Sequence, residues 1–159
     1  IRKFKIDEIP QLLNVLIGHM SLVGPRPNVI RETNLYSQEE KKILSIRPGI
    51  TDISSIIFSD EGEILKGSKD PDIDYNQLIR PWKSRLALFY INNSSVVLDI
   101  KILLWTLLSI PNREKVLKII SNFLDNKKCD KKLVEVCERK TRLEPYPPPG
   151  FNTIIDTRG

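Results

Sequence analysis

Hydrophobic spacing near the start of the chain predicts an amphipathic helix. Its apolar positions follow the i, i+3, i+4, i+7 pattern of one helical face: Ile9, Leu12, Leu13 and Leu16. Proline has no N–H and fits where no intrahelical hydrogen bond is owed, so Pro10 places the helix start at about Ile6 or Asp7. Gly18 is a suitable C-terminal stop for this helix.

A helix-capping motif predicts a second helix. The sequence Ser37-Gln-Glu-Glu40 matches a capping box and opens a short helix to about Ser45. We expect Ile43 and Leu44 of this helix to face inward. Short apolar or proline-restricted stretches around it predict extended segments at residues 19–23, 24–27 and 50–58.

Two longer helices are predicted in the second half of the chain. Residues 72 to about 92 predict a helix that is kinked or broken near Pro81. Residues 96 to about 110 are nearly all apolar and predict another helix. That run is shorter than the roughly 20 residues that a bilayer crossing needs, and it contains Asp99 and Lys101. We therefore expect a buried or membrane-surface helix here, not a span.

The C-terminal part of the chain is richer in charged residues and in proline than the part before it. Residues 112 to about 124 predict a basic amphipathic helix, for which lying on anionic lipid and packing on the domain both stay open. Residues 127–142 are dense in charge. Residues 144–150 are proline-rich, cannot hold a regular element, and are expected to have little to pack. The whole pattern predicts an α/β (α+β) fold that is mostly helical, with short extended segments.

Composition narrows the classes of partner. The 159 residues suit one domain, and the net charge of +5 with a pI near 9.2 favours phosphates, nucleic acid or an anionic membrane surface. The single histidine argues against a Ser-His-Asp triad or a histidine-based metal site. Cys129 and Cys137 form no CxxC motif and are expected to be free thiols. The chain opens with Ile1, not Met, and shows no signal peptide, so we expect it to be a fragment.

The most informative residues are two adjacent carboxylates, Asp7 and Glu8. They fall in the first turn of the predicted first helix, where the helix dipole favours ionised carboxylates. Spacing alone leaves a capping role open beside a chemical one. Three motifs then follow in order: Asp-Glu-Ile-Pro-Gln-Leu-Leu-Asn-Val-Leu at 7–16, Met-Ser-Leu-Val-Gly-Pro-Arg-Pro at 20–27 and Arg-Pro-Gly-Ile-Thr at 47–51. Together they closely resemble the bacterial sugar transferase family, the monotopic polyprenyl-phosphate phosphoglycosyl transferases, from about Arg2 to about Ile110.

The resemblance implies a membrane-surface catalytic domain. Residues 1–111 would be its C-terminal part and residues 112–159 a basic helix with a proline-rich tail. The family's membrane-inserted helix would precede Ile1. Family members transfer sugar-1-phosphate from a UDP-sugar to polyprenyl (undecaprenyl) phosphate at the cytoplasmic face of the bacterial inner membrane. This step begins the assembly of exopolysaccharide, capsule, O-antigen or glycoprotein glycan.

The resemblance also implies roles for individual residues. Asp7 would be the nucleophile that forms an aspartyl-phosphosugar, and Glu8 would assist it. Mg²⁺ would be held by Asp7 and Glu8 with phosphate oxygens and water. The candidate substrate-binding cations are Arg2, Arg26 and Arg47. Residues 52–61 depart from the commoner family pattern, so no sugar or nucleotide contact is assigned there.

Two classes of protein other than an enzyme remain open. A catalytically silent membrane-surface binding module could keep the same fold, although the intact Asp7–Glu8 pair argues against it. A nucleic-acid-binding protein is suggested only by charge, and neither a known nucleic-acid motif nor a pattern of stacking aromatics supports it. We therefore expect no nucleic-acid partner.

Overall fold

Helices dominate the computed structural model, which describes residues 9–26 and 33–157. In chain order the elements are α1 (Ile9–Leu16), β1 (Ser21–Val23), a 3₁₀ helix (Glu40–Ser45), β2 (Gly49–Thr51), α2 (Ile53–Ile57), α3 (Glu61–Ile64), α4 (Pro71–Asp74), a π-helical turn (Tyr75–Ile79), α5 (Arg80–Asn93), α6 (Val96–Ser109), α7 (Arg113–Asn126) and α8 (Lys131–Glu138). The predicted secondary-structure class, mostly helical with short extended segments, is confirmed.

The first helix ends as predicted. Gly18 adopts a φ of +81°, which is a left-handed conformation that glycine tolerates best. Its N–H donates to the carbonyl of Val15, and the next N–H, of His19, donates to Asn14. The predicted start of the helix, at Ile6 or Asp7, lies outside the described residues.

The two strands join the second and third sequence motifs. β1 and β2 pair in parallel, with Ser21 opposite Gly49 and Val23 opposite Thr51. A Cβ atom on Gly49 would lie 2.1 to 2.6 Å from backbone atoms of Gly24, so the two backbones touch where the glycines lie. Residues 24–26 and 47–49 are therefore held side by side.

The extended segment predicted for residues 50–58 is wrong beyond Thr51. The chain turns into α2 because Asp52 caps it: Asp52 accepts from the Ser55 N–H at 2.7 Å, and the Asp52 N–H donates to the Ser55 hydroxyl at 3.1 Å. This reciprocal cap prevails over the strand preference of the isoleucines, which are buried in the core instead.

The predicted break near Pro81 is a π-helical turn just before that residue. In an α-helix, the N–H of residue 81 would bond to the carbonyl of Gln77, and proline has no N–H to donate. The Gln77 carbonyl accepts instead from the N–H of Tyr146, at 3.0 Å. A sequence-local defect in the helix thus becomes an attachment point for a distant part of the chain.

α5 lies at the centre of the molecule and packs on α2, the 3₁₀ helix and α8. The core unites residues from both halves of the chain, among them Ile57, Ile79, Trp82, Leu86, Ile102, Ile120, Leu124, Leu133 and Leu143. Ile43 of the 3₁₀ helix is buried as predicted, but Leu44 is exposed, because the tighter helix turns it away from α5. Cys129 and Cys137 are free thiols, as predicted.

The helices predicted after residue 95 form, and each has a side-chain cap. Ser95 caps α6 by accepting from the N–H of Leu98, and Asn112 caps α7 by accepting from Lys115. The apolar face predicted for α7 is buried, comprising Val116, Leu117, Ile120 and Leu124. For this helix, packing on the domain is therefore the role that the structure supports.

The expectation that the proline-rich end has little to pack is wrong. Leu143, Pro148, Pro149 and Ile155 are buried, and Tyr146 stacks on Trp82 with ring centroids 4.6 Å apart. Prolines exclude regular structure, but they do not prevent apolar burial. The boundary predicted at residue 111 stays a prediction, although α7 and α8 share one core with the preceding helices.

The described residues contain no helix that could span a membrane. None of their helices combines the required length with the required apolar character.

Candidate functional site

A polar cavity of about 430 Å³ opens between α2, α5, the 3₁₀ helix and the segment that follows β1. Its size suits a small-molecule ligand. The lining combines hydroxyl, aromatic and charged side chains, including Arg26, Tyr36, Ser54, Ser55, Tyr75 and Lys83. This composition favours a polar, charged ligand over an apolar one.

Arg26 reaches this cavity because of the strand pairing. It follows the Gly24–Gly49 contact directly, and Pro25 lines the cavity beside it. The Arg26 side chain is exposed, so its guanidinium is accessible to an anion. Its assignment as a substrate-binding residue stays a prediction.

A fully buried ion pair lies beneath the cavity, and one member, Arg80, is part of its lining. Arg80 donates from Nε and Nη2 to the two carboxylate oxygens of Glu40, at 3.1 and 2.7 Å. Asn76 accepts from Arg80 at 3.1 Å, and the Ser84 hydroxyl donates to Glu40 at 2.7 Å. Such a pair persists in a dry interior because both charges are fully hydrogen-bonded.

Glu40 has a second task at the start of the 3₁₀ helix. Its N–H donates to the Ser37 hydroxyl at 3.0 Å, and the Ser37 N–H donates to the Glu40 carboxylate at 3.1 Å. This is the predicted capping box. The Glu40 carboxylate therefore connects the capping box of the 3₁₀ helix to Arg80 of α5.

The rim of the cavity carries another ion pair, between Lys83 and Glu61. The Lys83 ammonium also lies 5.2 Å from the ring centroid of Tyr75. Lys83 is partly exposed. Together with Arg26, this lysine gives the cavity two cationic side chains near solvent.

The carboxylates that line the cavity do not fit a metal site. Asp52 uses one oxygen for the Ser55 N–H and the other for the Ser54 hydroxyl, at 2.6 Å, while Glu61 is paired with Lys83. Over residues 9–26 and 33–157, no group of three or more His, Cys, Asp or Glu side chains could hold a metal ion. The predicted metal ligands Asp7 and Glu8, and the candidate Arg2, lie outside the described residues.

Arg47 is exposed and lines a different space. It borders an apolar groove of about 630 Å³ between the end of α1, β1 and α6, with walls that include Val15, Met20, Leu22, Val96, Ile100 and Leu103. The structure thus places Arg26 and Arg47 in separate cavities, although their backbone segments are neighbours. A role for Arg47 in substrate binding stays a prediction.

Tyr90 and Asp99 join α5 to α6 at this groove. The Tyr90 hydroxyl donates to Asp99 at 2.7 Å and also lies 3.3 Å from the Val23 carbonyl. Burial, followed by the hydrogen bond to Asp99, raises the pKa of Tyr90 well above its usual range. Tyr90 is therefore a permanent donor, and Asp99 has a helix-orienting role.

Sequence reasoning missed the buried pair beneath the cavity. It interpreted Glu40 only as a capping residue and gave Arg80 no role. A usable signal was present, because Asn76, Arg80 and Ser84 recur at i, i+4 spacing and so share one helical face.

Comparison with known proteins places the chain in a family. The model of the family described as bacterial sugar transferase matches residues 1–113. The galactosyl transferase CpsE of Streptococcus agalactiae serotype III is 39% identical over 107 residues, which cover 67% of this chain and 20% of that protein.

Two further relatives have more specific names. The undecaprenyl-phosphate galactose phosphotransferase of Salmonella typhimurium is 37% identical over 106 residues, 67% of this chain and 19% of that protein. The UDP-glucose:undecaprenyl-phosphate glucose-1-phosphate transferase of Caulobacter vibrioides is 39% identical over 90 residues, 52% of this chain and 34% of that protein. The chain spans between about a fifth and a third of the length of these three relatives.

The matched span contains each of the three sequence motifs and the strand pair that joins two of them. It also contains the main walls of the polar cavity. The chain belongs to the bacterial sugar transferase family.

Proposed function

We propose that this chain carries the catalytic residues of a phosphoglycosyl transferase that moves sugar-1-phosphate from a UDP-sugar to polyprenyl phosphate. The observation that carries the proposal is the match to relatives named as undecaprenyl-phosphate sugar-phosphate transferases. The family-matched residues 1–113 include the Asp7–Glu8 pair. The product would initiate bacterial surface polysaccharide or glycan assembly.

The chemistry would proceed in two displacements. A carboxylate oxygen of Asp7 forms a bond to the phosphorus next to the sugar, the bridging P–O bond of the diphosphate breaks, and UMP leaves with the electron pair. A phosphate oxygen of polyprenyl phosphate then attacks the same phosphorus and releases the Asp7 carboxylate. Glu8 would position the acceptor phosphate or take its proton.

The polar cavity is the proposed site of the donor. Phosphoryl transfer depends chiefly on positioning and on neutralising charge, and the exposed Arg26 brings a cation to this cavity, whereas Lys83 is paired with Glu61. Tyr36 and Tyr75 add aromatic surface to the same lining. Arg2 would add a cation beside Asp7.

Mg²⁺ is a further part of the proposal. It would be held by Asp7, Glu8 and donor oxygens, and when bound it would neutralise charge on the diphosphate. We expect EDTA to abolish turnover and Mg²⁺ or Mn²⁺ to restore it. Full turnover under chelation would remove the metal from the mechanism.

We also propose that the domain works at the cytoplasmic face of the bacterial inner membrane. Apolar side chains exposed on α6 support this, comprising Val96, Val97, Ile100, Leu104, Leu107 and Leu108. Leu16 and Ile17, at the end of α1, are also largely exposed. Such surfaces are uncommon on monomeric soluble proteins and suit contact with lipid, in which the acceptor lies.

The test compares Asp7→Asn with wild type in the intact protein, using donor labelled in the sugar and the β-phosphate. Wild type should transfer label to polyprenyl phosphate and show a mass adduct of one phosphosugar. Asp7→Asn should show neither, because the amide cannot attack phosphorus. Asp125→Asn, an exposed aspartate on α7, is the matched control and should behave as wild type. Donor binding without transfer in wild type would instead favour the silent binding module.

A further inference from the structure

The segment from Tyr146 to Gly150 attaches firmly to α5 at one end. The Tyr146 ring stacks on Trp82 at an interplanar angle of 21°. Two cations lie over the same tyrosine ring, Arg85 at 4.9 Å and Lys132 at 4.6 Å from its centroid. Arg85 also donates to the Pro147 carbonyl at 3.0 Å. With the Tyr146–Gln77 hydrogen bond, this end is fixed by ring, charge and backbone contacts.

The other end of the segment attaches to Ser37, the residue that follows the cavity-lining Tyr36. The Ser37 hydroxyl donates to the Pro149 carbonyl at 2.6 Å. Gly150 adopts a φ of +81°, and a Cβ atom there would lie 2.7 Å from the Ser37 hydroxyl oxygen and 2.8 Å from its Cβ. The contact is therefore too close for any residue but glycine.

Ser37 connects this contact directly to the cavity. It shares the capping box with Glu40, and Glu40 binds Arg80 and Ser84, which line the cavity. Tyr36, the residue before Ser37, also lines the cavity, and the Arg80 guanidinium lies 5.1 Å from its ring centroid. Residues 146–150 thus connect α5 to Ser37, and both attachment points neighbour side chains that line the cavity.

We propose that residues 146–150 are a positioning clamp that holds Tyr36 in place against α5 at the polar cavity and thereby supports the binding of the UDP-sugar donor. The inference rests on the proposed function, in which that cavity takes the donor. It concerns a segment that lies beyond the family-matched residues 1–113, so the match itself assigns this segment no role.

The sharpest test is a pair of glycine substitutions in the intact protein. Gly150→Ala combines an unfavourable positive φ with a clash against Ser37. Gly67→Ala is the matched control, because its φ is +82° and nothing lies within 4 Å of the added Cβ. Both variants share the backbone strain, and only Gly150→Ala displaces the clamp from Ser37.

The readout is the pair of specificity constants of the two half-reactions, measured with UDP-galactose or UDP-glucose, whichever is the better donor. Gly150→Ala should lower kcat/KM for the donor roughly 10- to 100-fold, since a misplacement of about 1 Å can cost up to about 100-fold. Its kcat/KM for polyprenyl phosphate should stay within about twofold of wild type, because that constant reports only the second displacement. Loss of folded protein would lower both constants equally, which would contradict the clamp.

A second pair of variants tests the α5 end. Tyr146→Ala should reproduce the donor-specific loss, and Tyr146→Phe should rescue it, because phenylalanine keeps the stacked ring. Phe151→Ala removes a neighbouring aromatic ring outside the clamp and should match wild type.

Failure of the clamp and failure of the proposed function give different results. If wild type turns over and Gly150→Ala behaves as Gly67→Ala for the donor, the clamp is overturned while the proposed function stands. If wild type neither binds nor turns over the UDP-sugars, the proposed function fails and the clamp with it.

Discussion

Arg26 is the single side chain whose removal should affect the donor most directly. We predict that Arg26→Ala lowers kcat/KM for the UDP-sugar roughly 10- to 100-fold, the usual effect of losing a hydrogen bond to a charged group. Arg26→Lys should restore part of this loss, because lysine supplies charge without the planar fork. Arg142→Ala, at another exposed arginine, is the control. Equal effects of the two alanine variants would exclude a specific donor contact.

Glu40 should matter for stability more than any exposed acid. Glu40→Gln leaves the buried Arg80 charge without its partner, which typically costs about 3 kcal/mol or more. Urea unfolding monitored by tryptophan fluorescence should show this as a lower midpoint with an unchanged slope. Glu39→Gln changes the adjacent, exposed glutamate and should leave the midpoint in place. Similar midpoints for both variants would mean that the pair is dispensable.

At the residue scale, the sequence predicts what a side chain could contribute but not its partner. The capping box at Ser37 and Glu40 is visible in the sequence because its residues are three apart. The ion pair from Glu40 to Arg80 crosses 40 residues, and only the fold brings the two together. The fold can also separate residues that the sequence groups together. Arg26 and Arg47 are both candidate substrate-binding cations, but they line separate cavities.

At the scale of elements, Asp60 links three helices. It precedes α3 and pairs with Arg113 at 2.7 Å, at the start of α7, and with Arg139 at 3.1 Å, just after α8. Burial raises the pKa of Asp60, but the hydrogen bond and charge of Arg139, with the charge of Arg113, outweigh it. The pKa of Asp60 is therefore lowered on folding.

This shift predicts how the helix junction responds to acid. A carboxyl whose pKa is lowered on folding stabilises the protein above its unfolded pKa of about 4, and the contribution is lost as pH falls through the folded pKa. Asp60→Asn should therefore destabilise the protein at pH 6 and do so much less near pH 2.5, as judged by urea midpoints. Glu63→Gln alters an exposed pair and should change little at either pH. A constant difference between Asp60→Asn and wild type would contradict the linkage.

Helices with regular apolar spacing could be predicted from the sequence. An element whose structure is decided by one capping side chain could not. α6 and α7 have long apolar periodicity and a polar cap, and both form close to the predicted bounds. α2 was predicted as extended because its isoleucines favour strands, whereas the side chain of Asp52 decides the structure. The break near Pro81 could be predicted, because proline lacks an N–H, but the partner of the freed Gln77 carbonyl, the N–H of Tyr146, lies far outside any local window.

At the scale of the whole molecule, the C-terminal segment completes the core. Truncation after Asn126 removes Leu133, Cys137 and Leu143 from the buried cluster and exposes their partners. We predict that the truncated protein loses its cooperative thermal transition, because large apolar deletions leave a core that cannot close. Truncation after Asp156, which keeps the hydrogen bond from Gln77 to Ile155, is the control. A sharp transition in the shorter protein would show that the remaining helices form an independent core.

The attachment of Tyr146 and Pro147 to α5 can form only late in synthesis, because these residues follow α5 by a long stretch of chain. Arg85 and Pro147 are 62 residues apart in sequence, so at roughly 5 to 20 residues per second the ribosome finishes the cavity walls about 3 to 12 seconds before their clamp. Through that interval the Trp82 face lacks its stacking partner and the Gln77 carbonyl lacks the Tyr146 N–H. The nascent protein therefore exposes an unfinished surface around Trp82 and Gln77 until residues 146–150 have been made.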